Sequence, residues 1–223
     1  MRSVLILLLL LYLPAAAPAV AGPWLREKGK GFRATSVTAS YFYDLSQSTY
    51  LEYGWRDDLT LGLDILTSQS RFGELSGSGT LFLRLPLGSP GERGRWAYDL
   101  GLGASWEGEL VSPHLKAGLS WGRGFSKGDR NGWLTVDASF KWDFGLAERE
   151  IKIDSTAGFD FTDLTTAMVQ LFVTNTPTTT AVRVAPSVVL SPEWAKYRFQ
   201  IGSEIPVDRP EDTLLKLGLW REF

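Results

Sequence analysis

The 223-residue chain has no cysteine, one histidine and two methionines. Without cysteine there is no disulfide framework, no thiolate nucleophile and no lipidated residue at a processing site. A single histidine cannot assemble the grouped nitrogen and sulfur ligands that transition metals favour, so neither a metal nor a cofactor is expected. A basic excess is missing as well: 23 lysines and arginines face 25 aspartates and glutamates, for a formal charge of −2. That leaves no electrostatic footprint for nucleic acid.

Long apolar runs are scarce. The stretch from Val4 to Leu13 is about half the ~20 residues that a membrane-crossing helix needs, and Pro14 interrupts it. With Arg2 before it and the small residues Ala19 to Ala21 behind it, this stretch reads as a cleavable secretory signal over residues 1–21. Residues 22–223 remain as one domain, because no linker divides them. Glycine and aromatics, by contrast, are plentiful, with 23 glycines, nine tryptophans and 13% aromatic residues, a composition that leans towards β structure and interfaces.

The dominant signal from Phe32 onward is period-2 alternation. In "LTLGLDILT", Leu59, Leu61, Leu63 and Ile65 share one face, with Thr60, Gly62 and Asp64 on the other. "LTVDASFKWDF" sets Leu134, Val136, Ala138, Phe140, Trp142 and Phe144 against Thr135, Asp137, Ser139, Lys141 and Asp143. A strand separates such sets cleanly, whereas a helix scatters them. Twelve segments follow the pattern: 32–43, 47–55, 59–68, 77–86, 95–106, 110–122, 132–144, 148–161, 165–175, 180–191, 195–205 and 212–223. The expected fold is all-β, a single-domain antiparallel transmembrane β-barrel of twelve strands.

Alternation alone also suits a soluble barrel, and three features decide against it. The non-apolar faces carry Asp64, Arg84, Asp99, Lys116, Asp137, Lys141, Lys152, Asp154, Arg183 and Arg198, which suit a polar lumen and are the candidate lumen-lining residues. Aromatics collect at the ends of the apolar faces. On the fifth strand Trp96 and Tyr98 lie ten residues from Trp106, and ten residues at ~3.3 Å, tilted by roughly 40°, rise about 25 Å, the height of an outer-membrane apolar band. With strands running alternately up and down, Tyr41, Tyr43, Trp106, Trp142 and Phe144 fall at one rim. Tyr53, Trp55, Trp96, Tyr98, Phe159 and Phe161 fall at the other. Finally, the chain stops on Phe223 with Leu219, Leu217 and Leu215 before it, an apolar strand with no polar tail. Closing a barrel requires the last strand to pair with the first, which removes edges that a bilayer cannot hydrate.

This terminus resembles the C-terminal signal that bacterial outer-membrane barrels present to their assembly machinery, except that Arg221 stands where an aromatic or apolar residue is common. The blocks "PWLREKGKGF", "YLEYGWRDDLTLGLD" and "LKLGLWREF" together resemble outer-membrane proteins related to the "MetA-pathway of phenol degradation" barrels. The resemblance implies a bacterial outer-membrane location, contact with outer-membrane lipid and the assembly machinery, and transport of small, often aromatic, compounds.

Catalytic chemistry finds little support. His114 lies in "VSPHLKAG" on the polar face with Ser112, Ser120 and Lys116, whereas outer-membrane phospholipases act from the outside of their barrels. No catalytic residue is assigned. "VDRPED" lacks a spaced set of oxygen ligands for calcium and reads as a solvated turn. The outer connections are short, the longest being "SQSRFGELSG" at 68–77, with "TNTPTTT" at 174–180 polar and flexible in character, and no segment is expected to form a long inward-folded plug. Inward glycines, Gly62, Gly101, Gly103, Gly118, Gly158, Gly202 and Gly218, leave room in the lumen. These features together predict a narrow passive channel for small solutes. The alternatives are a closed structural barrel with a salt-bridged interior and, more remotely, a lipid-modifying enzyme.

Overall fold

The computed structural model describes residues 23–89, 91, 93–145 and 148–223. The expected secretory signal, residues 1–21, lies outside the described residues. Twelve strands follow in order: β1 (Gly31–Ser40), β2 (Leu45–Arg56), β3 (Leu59–Gln69), β4 (Leu75–Pro86), β5 (Arg95–Glu107), β6 (Leu110–Lys127), β7 (Arg130–Asp143), β8 (Arg149–Thr162), β9 (Thr165–Asn175), β10 (Thr180–Leu190), β11 (Arg198–Pro206) and β12 (Leu214–Glu222). Each pairs antiparallel with its sequence neighbours, and β1 pairs with β12 to close the barrel.

The seam lies between β1 and β12. Nine register pairs run from Phe32 opposite Glu222 to Ser40 opposite Leu214. Beyond them the Gly31 N–H donates to the Phe223 carbonyl at 2.7 Å and the Phe223 N–H donates to the Gly31 carbonyl at 3.0 Å. The last residue therefore supplies ladder hydrogen bonds, and a barrel without it would leave backbone groups unpaired at its edge.

Burial is inverted relative to a water-soluble protein. Glu52, Arg84, Asp99, His114 and Lys216 are buried, while Leu81, Leu100, Leu102, Leu215, Leu217 and Leu219 are exposed. Buried and exposed positions alternate along β4, β5, β6, β10 and β12, so the polar face is the lumen and the apolar face is the outside. A belt of leucine, isoleucine and valine around the circumference is far larger than the apolar patches water tolerates, and hydrocarbon is the surrounding that accommodates it.

The rim that holds both chain ends is called the terminal rim here, and its opposite the far rim. At the terminal rim the outward aromatics meet in pairs: Trp96 with Trp121 at 6.5 Å, Phe125 with Phe159 at 6.4 Å, and Phe159 with Phe161 at 5.6 Å between ring centroids. Trp121 and Phe125 extend the girdle expected on this side. At the far rim Trp142 and Phe144 lie 5.1 Å apart. Tyr41 and Tyr43, expected within the first strand, instead lie in the turn that follows β1, where Tyr43 has a φ of +68°.

Other departures are at strand ends. β6 and β7 run to Lys127 and from Arg130, paired in register through Gly124–Trp133, Phe125–Gly132 and Ser126–Asn131, so a glycine- and asparagine-rich stretch that suggested a loop is a long hairpin. β3 and β4 shrink the "SQSRFGELSG" connection to residues 70–74. A short 3₁₀ turn, Pro210–Asp212, delays β12 to Leu214. Asp44 organises the turns of the far rim: it accepts from the Arg71 backbone N–H at 2.9 Å and from the Ser40 hydroxyl at 3.0 Å. The first of these bonds is the main cause that holds its carboxyl below the ordinary value.

Candidate functional site

The lumen contains a segment that sequence reasoning missed. Residues 23–30 turn into the barrel at the terminal rim and form a strap against β2. The Gly29 N–H donates to the Gly54 carbonyl at 2.8 Å and the Gly54 N–H donates to the Lys30 carbonyl at 2.9 Å, with a parallel bridge between Lys28 and Gly54. Glycine is required at position 54 because a Cβ there would collide with the backbone carbonyls of Arg26 and Glu27. Position 122 on β6 is similar: a side chain would strike the Trp24 ring and Pro23. Two inward glycines thus form the seat of the strap. The expectation that no segment folds inward is corrected by this finding, the plug being the run before the first strand and not a loop.

Arg26 anchors the strap. Its Nε donates to Glu52 Oε2 at 2.6 Å, its backbone N–H donates to the Thr60 hydroxyl at 2.9 Å, and its guanidinium lies 4.5 Å from the Phe32 ring centroid. Glu52 is fully buried on β2 and also receives Arg84 Nη1 and, at 2.5 Å, the Tyr50 hydroxyl. Arg84 Nη2 continues to Asp99 at 3.6 Å. Three donors on one carboxylate satisfy the charge that burial would otherwise penalise.

Beyond the strap lies an apolar layer in the lumen. Trp133 and Met168 form its buried centre, and Trp24 and Trp220 pack against them. Phe32 meets Trp220 edge-on at 6.2 Å. Above this layer lies a cavity of about 290 Å³ lined by aromatic and charged side chains together.

Of the ten residues expected to line the lumen, Asp64, Arg84, Asp99, Lys116, Asp137 and Asp154 border this cavity. The other four do not: Lys141 pairs with Glu150 at 3.3 Å, Arg183 with Glu204 at 3.7 Å and Arg198 with Glu222 at 3.7 Å, while Lys152 occupies the next inward position of β8 after Asp154. Lys116 reaches Asp64 at 3.6 Å, and Lys216 reaches Glu204 at 2.9 Å.

His114 is 2% exposed. Its Nε2 lies 2.9 Å from the Thr80 hydroxyl and its Nδ1 lies 3.1 Å from the Ser105 hydroxyl. Ser112 donates to Asp143 and accepts from the Gly145 N–H at 2.8 Å. His114 and Ser112 are thus each engaged by separate neighbours on the lumen face. Among the described residues there is no group of three or more histidine, cysteine, aspartate or glutamate side chains placed to hold a metal ion.

No family model and no curated protein matches the sequence. The architecture is nevertheless that of outer-membrane barrels. A KdgM porin superposes with a TM-score of 0.59 at 9% identity, covering 86% of this chain and 99% of its own. A COG4313 outer membrane channel from Pseudomonas putida F1 gives 0.57 at 12% identity, over 93% of this chain and 100% of its own. The beta domain of the Bordetella autotransporter BrkA gives 0.54 at 12% identity, over 89% and 100%. At such identities the likeness is one of fold, and the fold is shared by proteins with different tasks.

Proposed function

We propose that this chain is a bacterial outer-membrane barrel that passes small solutes through a narrow polar lumen, with its terminal end narrowed by the strap. The observation that carries this reading is the course of the ion pairs. In a twelve-stranded barrel the opposite wall is six strands away. Lys141–Glu150, Lys216–Glu204, Arg183–Glu204, Arg198–Glu222 and Arg84–Asp99 each join adjacent strands. Arg84–Glu52 skips one strand, and Lys116–Asp64 runs from β6 to β3. The charges hug the wall and leave the axis to the cavity. A salt-bridged plug would instead cross it.

The wall carries both signs of charge, as suits a weakly selective passage, and the reading involves no catalytic step. The resemblance to the phenol-degradation type of barrel supports small, often aromatic, solutes, and the Trp133–Met168–Trp220 layer is compatible with them. Export through a signal at residues 1–21 and insertion by the assembly machinery through the Phe223 terminus belong to the same proposal, as do outer-membrane lipid around the leucine belt and a bacterial outer-membrane location. A second reading, a closed structural barrel, is favoured by the strap, whose Arg26–Glu52 anchor is buried.

Planar-bilayer conductance of the refolded mature chain separates the two. The channel reading expects discrete steps, with larger ones for Trp24→Ala combined with Gly122→Val, which unseats the strap. Silence from both proteins, each shown to be folded by its heat-dependent gel mobility, would establish the structural barrel.

A further inference from the structure

The cavity above the apolar layer carries an unbalanced charge. The bases that border it are all committed: Arg84 to Glu52 and Asp99, Lys116 to Asp64, and Lys216 to Glu204. Asp137 and Asp154 are left over. They are direct register partners on β7 and β8, so two carboxylates stand side by side on one wall, an arrangement that destabilises a sheet. Among the described residues neither has an ion-pair partner, and Oδ1 of each is enclosed without a protein donor. Lys152, the nearest inward base on β8, makes no ion pair with either, so the local count is two carboxylates against one ammonium.

The surroundings of the pair are ordered across four strands. Ser120 is the register partner of Asp137 on one side, and Phe172 is the register partner of Asp154 on the other. Trp133 and Met168, which floor the same cavity, lie closer to the terminal rim along β7 and β9. An apolar surface therefore adjoins a net negative one within a space that suits a molecule smaller than a typical drug-sized ligand.

We propose that this cavity binds a small primary organic ammonium, with its charged head on Asp137 and Asp154 and its apolar body against Phe172, Trp133 and Met168. An ammonium head offers three donors, which two carboxylates and the Ser120 hydroxyl can accept. A hard divalent cation is the poorer fit, because it requires six or more oxygen ligands and this wall supplies two carboxylates. Neutralising one of two adjacent like charges offsets a cost that the fold otherwise carries, which gives the bound cation its advantage over a neutral compound of the same shape. The inference rests on the barrel having a lumen that solutes enter, but not on their passing through it.

The test is calorimetric titration of the refolded, detergent-held mature chain with 2-phenylethylammonium, with 3-phenylpropionate and, separately, with calcium. Saturable binding of the ammonium is expected, with no binding of the propionate. Asp137→Asn and Asp137→Asn/Asp154→Asn should each weaken it by about tenfold or more, the worth of a hydrogen bond to a charged group. Both variants remove repulsion and should keep their heat-dependent gel shift. Absence of ammonium binding by the wild type, equal binding by the double variant, equal binding of the propionate, or tighter binding of calcium would each overturn the proposal. Because binding is read without conduction, a silent bilayer with intact ammonium binding would defeat the channel reading alone, and a conducting barrel that ignores the ammonium would defeat the site alone.

Discussion

Replacement of Glu52 by glutamine tests whether the strap and wall are held by one charge. The native carboxylate takes Arg26 Nε at 2.6 Å, the Tyr50 hydroxyl at 2.5 Å and Arg84 Nη1, and it is fully buried. Glutamine keeps the shape but removes the charge, so Arg84 is left with Asp99 at 3.6 Å as its partner carboxylate. Breaking one side of a buried ion pair costs about 3–5 kcal/mol, because the remaining charge stays out of water. Arg26→Ala is the control with the opposite sign. It leaves Glu52 still paired with Arg84 and Tyr50, so its cost should be nearer ~1–2 kcal/mol, that of one charged hydrogen bond. The Arg26→Ala/Glu52→Gln double variant should then show a coupling of about 1–2 kcal/mol, since the two residues share one contact. The assay is urea-induced unfolding in lipid vesicles, followed by tryptophan fluorescence and by gel mobility in parallel. A Glu52→Gln loss no larger than that of Arg26→Ala would refute the reasoning, because it would mean that the buried carboxylate is not the hub of the network.

Two further outcomes follow from the seam and from the wall histidine. Deleting Phe223 removes the two backbone hydrogen bonds to Gly31 and should cost about 1–3 kcal/mol, seen as a smaller fraction of the heat-shifted band after refolding, with slower assembly in cells. Wild-type refolding yield would remove the terminus from the closure of the barrel. His114→Ala leaves the Thr80 and Ser105 hydroxyls without their ring partner and should lower stability by about 1–3 kcal/mol while leaving phospholipid hydrolysis at the background of the wild type. A fall in hydrolysis with unchanged stability would restore the enzyme reading.

The strands were legible because a wall one residue thick, apolar on one side and polar on the other, writes a period of two directly into the chain. "LTLGLDILT" and "LTVDASFKWDF" lie within β3 and along β7. Strand ends were less legible where turn-forming residues continue a ladder, as they do from Gly122 to Lys127. The strap had no such signature. "PWLREKGK" has no period, its one apolar pair is adjacent in sequence, and its hold on the barrel comes from glycines 54 and 122, distant in the chain and indistinguishable by composition from the other inward glycines. A tryptophan two residues before an arginine, just ahead of the first strand, was the available hint, since both residues gain from a partly dry lumen.

The inward glycines carry the argument furthest from the sequence expectation. Read alone they suggest empty space, yet most of that space is taken. A Cβ at Gly62 would strike the Phe82 ring, one at Gly118 the Asp99 carboxylate, one at Gly158 the Trp133 indole and one at Gly103 the His114 ring. At Gly202 and Gly218 the occupants are Ser187 and Gln200. Each of these neighbours lies on an adjacent strand and leans sideways over the glycine instead of standing into the lumen. Arg84 reaches past β3 to Glu52 on β2, so this charge too pairs along the wall. Alanine at 62 would force the Phe82 ring from its place over β3. Small residues thus let large ones lie against the wall, and the pairing of inward glycines with their neighbours shapes the space that is left.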